Sequence, residues 1–177
     1  MAEPLRPAAT KTYGKENWVF VPTIANITAP TAAEVTALSA LDITNIAFAD
    51  GAPAPTKNTN LATQNRRLGD TTETQFVGTT SYTGGDMTYQ FAPQAAAASD
   101  GVKLWETIPE GTTGYLVRRL GVAKSTALAA GQFVDVYPVE FGPSMPTKSG
   151  DAESAEAAAA VTFAITSAPA FKKAIAA

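Results

Sequence analysis

Apolar residues along this chain come in short runs, cut by proline, glycine or threonine before any run grows long. The run Trp18-Val19-Phe20-Val21 is β-prone and stops at Pro22. Thr31-Ala32-Ala33-Glu34 is a capping box, and Val35, Leu38 and Leu41 then recur every three residues. That spacing predicts a helix opening at Thr31 and continuing through Leu38-Ser39-Ala40. Residues 43–48 read as a strand stopped by Asp50-Gly51, Pro53 and Pro55. Residues 71–82 and 87–91 flank Thr83-Gly84-Gly85-Asp86, and a Gly-Gly pair between β-prone runs predicts a two-residue hairpin. In that register Tyr82 faces Met87, Thr80 faces Tyr89 and Gly78 faces Phe91. Alternation then puts Phe76, Tyr82, Met87, Tyr89 and Phe91 on a buried face, and Glu73, Gln75, Val77, Thr79, Ser81, Thr88 and Gln90 on a polar one.

Further on, residues 94–106 predict a helix interrupted or restarted at Asp100-Gly101, with Val102, Trp105 and Ile108 at helical spacing. Residues 114–122 and 132–141 predict two strands joined by 124–131. Residues 154–160 favour helix by propensity, whereas 161–166 alternate like a strand. Residues 1–15, with Pro4 and Pro7, read as an extended arm, and 168–177 as a mobile tail. The fold class expected is mainly β (α+β), in a single domain over residues 1–177.

Composition removes much chemistry. Among 177 residues there is no cysteine and no histidine, so disulfides, Cys/His zinc sites and histidine-activated nucleophiles are excluded. Charged residues are 16% of the chain and the net charge is -3, which argues against a nucleic-acid grip. Leu, Ile, Val and Phe make up only about a fifth of the residues, a thin core for one chain, which points to unpacked arms or to burial between subunits. No leader-like or membrane-spanning apolar run is apparent. Gly142-Pro143-Ser144-Met145-Pro146-Thr147-Lys148-Ser149 misses a phosphate-binding loop, because Thr147 stands where glycine is required, and reads as a surface loop. Glu106 and Glu110, the pair nearest to a glycosidase arrangement, flank Pro109 and read as solvated. No catalytic, cofactor or metal residue is expected. Arg66-Arg67, Arg118-Arg119 and Lys148 are candidate interface cations, because arginine's planar fork suits carboxylates across interfaces.

Two phrases carry a family likeness: Ile24-Ala25-Asn26-Ile27-Thr28-Ala29-Pro30-Thr31-Ala32-Ala33-Glu34 with Leu41-Asp42-Ile43-Thr44, and Val134-Asp135-Val136-Tyr137-Pro138-Val139-Glu140-Phe141-Gly142. With them the chain resembles the major tail (tail tube) proteins of long-tailed bacteriophages, in the form common among phages of actinobacteria. The resemblance implies a β-sandwich or barrel with a flanking helix, a long hairpin and extended arms. It implies hexameric rings stacked into a non-contractile tube that passes DNA from capsid to host, with no enzymatic turnover and no membrane insertion. Its implied partners are copies of itself, a tape measure protein, tail terminator and baseplate proteins, and DNA in transit. Its implied location is the virion tail, assembled in the host cytoplasm. On this reading the hairpin lines the bore, and Glu73, Gln75, Thr79, Ser81, Thr88 and Gln90 face the lumen. The arm 1–15, the segment 53–61 and the loop 148–152 are then candidate ring-to-ring contacts. The runner-up is a capsid decoration protein.

Overall fold

The computed structural model describes residues 8–177; the first seven residues of the expected arm lie outside them. In chain order the elements are β1 (Glu16–Val21), α1 (Ala32–Val35), β2 (Leu41–Asp42), β3 (Thr56–Thr63), β4 (Gln75–Thr83), β5 (Gly85–Gln90), α2 (Asp100–Thr107), β6 (Thr113–Leu120), β7 (Phe133–Lys148), β8 (Ala157–Ile165) and β9 (Ala170–Ala174), with a 3-10 turn at Ala49–Gly51. The protein is mainly β, as expected. It divides into two compact units, Met1–Ile46 with Thr113–Pro138 and Pro169–Ala177, and Ala47–Thr112 with Val139–Ala168. β7 contributes to both.

In the first unit the strand order is β2-β1-β6-β7, with β9 also on β7. Alternation sends Val19, Val21, Val117, Val134 and Val136 to one face, where Ile24, Val35, Ala170 and Ile175 complete a core. The other face carries Trp18 against Tyr137 (ring centroids 5.7 Å apart) and Tyr137 against Phe171 (5.8 Å). α1 opens on the predicted capping box. The Glu34 amide donates to the Thr31 hydroxyl (3.3 Å), and the Glu34 carboxylate accepts from the Thr31 amide (2.7 Å) and the Ala25 amide (2.8 Å). The Ala25 and Thr31 amides hold that carboxyl below its ordinary pKa. The Thr31→Ala variant is therefore expected to lose about 1 kcal/mol, read from urea denaturation at neutral pH.

The helix is shorter than its periodicity predicts. It ends after Val35, where the Thr36 hydroxyl bonds back to the Ala32 carbonyl (2.7 Å), and Leu38 is fully exposed. β-Branched Val35 and Thr36 are weak helix formers, and the Leu41–Phe20 pairing draws the chain into the sheet instead. The strand expected at 43–48 is a turn. The Asp42 carboxylate accepts the Thr44 amide (2.8 Å) and bends the chain, while Ile43 and Ile46 are buried. The expected tail contains β9, paired to β7 across a bulge where Lys172 takes a positive φ of 49°.

The second unit packs the latter half of β7 with β8 and β5. Met87, Tyr89, Phe91, Phe141 and Phe163 are buried in it. α2 starts at Asp100, as the restart predicts, after turns through 92–99. It lays Gly101, Leu104 and Ile108 inward and stacks Trp105 on Phe91, centroids 4.5 Å apart. Residues 157–160, read by propensity as helix, belong to β8. Tyr89 opposes Ala159 there, so small alanines accommodate large neighbours and pairing overrides propensity. Residues 142–148, read as a surface loop, extend β7, where proline's fixed φ suits an extended chain.

The hairpin expected around Gly84-Gly85 is corrected. β4 pairs with β3, antiparallel, in a separate two-stranded sheet, and β5 pairs with β8. Neither Gly84 nor Gly85 has a positive φ, so they form no primed turn. Gly84 instead lies against β8, where a Cβ would fall 1.8 Å from the Phe163 carbonyl oxygen. Its lack of a side chain permits a close backbone approach at the point where the chain changes sheets.

Candidate assembly surfaces

The β3–β4 ribbon was half hidden in the sequence. Residues 56–63, Thr-Lys-Asn-Thr-Asn-Leu-Ala-Thr, have threonines suited to a strand but no apolar alternation to announce it. The ribbon carries a bulge between Thr59 and Leu61. It is prolonged by a Gln64 amide to Thr74 carbonyl bond (2.8 Å) and a Thr74 hydroxyl to Gln64 side-chain bond (2.8 Å). At its tip the Asp70 carboxylate accepts the Arg67 amide (2.9 Å), and the Asp70 amide donates to the Arg67 carbonyl (3.0 Å). Of the 17 residues in the two strands only Lys57 is charged. Leu61 and Val77 oppose each other across the ribbon, and Ala62 opposes Phe76. Leu61, Phe76 and Val77 are more than half exposed, and Leu68 at the tip is fully so.

The six candidate lumen residues therefore do not share one face. Gln75, Thr79 and Ser81 are exposed on the ribbon and Glu73 on its tip segment; Thr88 and Gln90 lie on β5. Phe76, expected to be buried, is 56% exposed. On the second unit's sheet, β5 offers Asp86, Thr88 and Gln90, β8 offers Thr162 and Ala164, and β7 offers Glu140. Asp86 pairs with Thr162, whose hydroxyl donates to the Asp86 carboxylate (2.6 Å), and Glu140 pairs with Ala164. None of these six is a cation.

Strand alternation separates Arg118 from Arg119, as expected, whereas Arg66 and Arg67 lie in the loop between β3 and β4, where that argument does not apply. Arg118 donates to Glu16 (2.8 Å) and lies 5.4 Å from the Trp18 ring centre. Arg119 is corrected as an interface candidate, because it is only 1% exposed within its own subunit. Its guanidinium donates to the carbonyls of Ala123, Thr126 and Ala127 and to the side-chain oxygens of Asn17 and Gln132. Burial lowers its pKa, opposed by attraction to Asp42. Arg66 and Arg67 are exposed beside the ribbon tip, and exposed Lys148 pairs with Asp151.

On the first unit, Arg118, Leu120, Phe133, Val134, Asp135 and Lys172 line an open groove of about 260 Å³. Leu120 and Phe133 are partly exposed in it, at 44% and 54%. The Lys172 ammonium lies 5.7 Å from the Phe133 ring centre, and the Lys172 amide donates to Asp135 (2.8 Å). Composition offered no signal for this groove, since it arises where a strand end and the start of the next strand meet in space.

Glu106 and Glu110 are exposed on either side of Pro109. Among the described residues no group of three or more acidic side chains is placed to hold a metal, and no helix is long and apolar enough to cross a membrane. The model of the family described as phage tail tube protein matches residues 4–177. No curated protein matches the sequence.

Proposed function

Because this chain belongs to the phage tail tube protein family, a family of structural virion proteins rather than enzymes, we propose that its copies form hexameric rings that stack into a tube and conduct DNA. The observation that carries this reading is the cation-free face of the second unit, Asp86, Thr88, Gln90, Glu140, Thr162 and Ala164. DNA is gripped through Lys and Arg neutralising its phosphates. A wall of small polar residues with two carboxylates supplies no such contact, so the duplex slides without binding. Exposed Gln90 stays in the lumen assignment, and half-buried Thr88 stays at its margin, with the Ala49–Gly51 turn against its side chain. Glu73, Gln75, Thr79 and Ser81 leave it, because the ribbon that carries them is apolar at Leu61, Phe76 and Val77 on both its faces. The polymer is closed at its ends by terminator and baseplate proteins and measured by a tape measure protein, and assembly takes place in the host cytoplasm. The exposed ribbon and the thin core fit a subunit whose burial is completed by neighbours.

Negative-stain microscopy of the purified protein tests the reading. Hollow tubes of uniform width, elongating with protein concentration, are the expected result. Particles that stay monomeric at all concentrations, or bind only to preformed capsids as a decoration protein would, contradict it.

A further inference from the structure

We propose that the tip of the β3–β4 ribbon docks in the Leu120–Phe133 groove of a second copy, with Leu68 as the inserted side chain; this rests on the tube reading above. Ten large apolar side chains are conspicuously exposed among the described residues, and six of them fall in these two places: Leu61, Leu68, Phe76 and Val77 on the ribbon, Leu120 and Phe133 in the groove. Such clustering marks interaction surfaces, whereas scattered single exposures do not. Both patches are exposed, so neither is covered by another of the described residues. Leu61 and Val77 lie on one face of the ribbon and Phe76 on the other, so a partner that takes Leu68 can cover one of these faces beside it.

Shape and charge agree with a second copy as the occupant. A groove of about 260 Å³ accommodates a leucine side chain between Leu120 and Phe133. The groove is lined by Arg118, Asp135 and Lys172, and the tip carries Arg66, Arg67, Asp70 and Glu73, so both surfaces present both signs of charge and can pair them to fix the register. Tip and groove are different patches, so the contact is heterologous and propagates from copy to copy, as a polymer requires.

The absence of native cysteine makes a direct test clean. Tubes of the Leu68→Cys/Phe133→Cys variant are oxidised and run on a non-reducing gel. A disulfide needs Cα atoms within roughly 7 Å, so only docked residues react. A ladder of covalent multimers is expected, with Leu68→Cys/Leu38→Cys tubes giving no ladder. Tubes that form normally without the ladder overturn the docking while leaving the tube reading intact. A ladder of equal strength in the Leu38 control overturns it as well. A within-chain crosslink in Leu5→Cys/Phe133→Cys would give the groove to the chain's own N-terminal segment, which also overturns it. Failure of the unmutated protein to assemble removes the tube reading and the docking together.

Discussion

The Arg119→Met variant is expected to lose about 3 kcal/mol of stability, a large part of the roughly 5–15 kcal/mol that holds a typical domain. The cause is what the guanidinium leaves behind. Its five hydrogen bonds reach three backbone carbonyls, Ala123, Thr126 and Ala127, and two side-chain oxygens, Asn17 and Gln132. Removing the donor strands the Thr126 carbonyl and the Asn17 and Gln132 side-chain oxygens around an apolar side chain, whereas the Ala123 carbonyl keeps the Thr126 amide (3.0 Å) and the Ala127 carbonyl keeps the Gln132 side-chain amide (3.1 Å); an unsatisfied buried polar group costs about 1–3 kcal/mol. Among the described residues no carboxylate bonds the cation directly; Asp42 acts through its field. Arg119 therefore works as a template on which the loop between β6 and β7 is wrapped. Lysine keeps the charge but presents its donors from a single point and cannot reach both sides of the loop, so Arg119→Lys should be destabilised as well, by less. Urea denaturation with circular dichroism measures both variants. A Met variant within 1 kcal/mol of the parent would show that the loop satisfies its own carbonyls.

The Gly84→Ala variant is expected to be destabilised by about 3 kcal/mol or more, since the added Cβ would lie 1.8 Å from the Phe163 carbonyl oxygen and 2.7 Å from its carbon. The obstacle is backbone on β8, paired on one side with β5 and on the other with β7, so no rotamer change relieves it. Gly69→Ala is the control, because a Cβ there meets nothing within 4 Å. Thermal unfolding followed by circular dichroism should show a loss of several degrees for Gly84→Ala and none for Gly69→Ala. Equal midpoints would mean that the junction between β4 and β5 has room to move.

Local chemistry was legible in the sequence wherever it acts over a few residues. The Thr31–Glu34 capping box, the strand at Trp18–Val21, the restart at Asp100 and the strands β6 and β7 all follow from caps, breakers and alternation. So does the opposed orientation of Arg118 and Arg119. The phrases around Thr31 and Val134 carry the family likeness by themselves. Tertiary structure decided which strand pairs with which and what each glycine and arginine is for. Gly84-Gly85 carries the same letters whether it turns a hairpin or slides a backbone against β8, and only the neighbouring strand distinguishes the two. Arg119 reads as a surface cation until four acceptors of the loop that follows it and one from distant Asn17 converge on it. The ribbon and the groove belong to the same category, because exposure is a property of what remains uncovered after every other segment has found its place, and a sequence carries pairing preferences but not the competition among them.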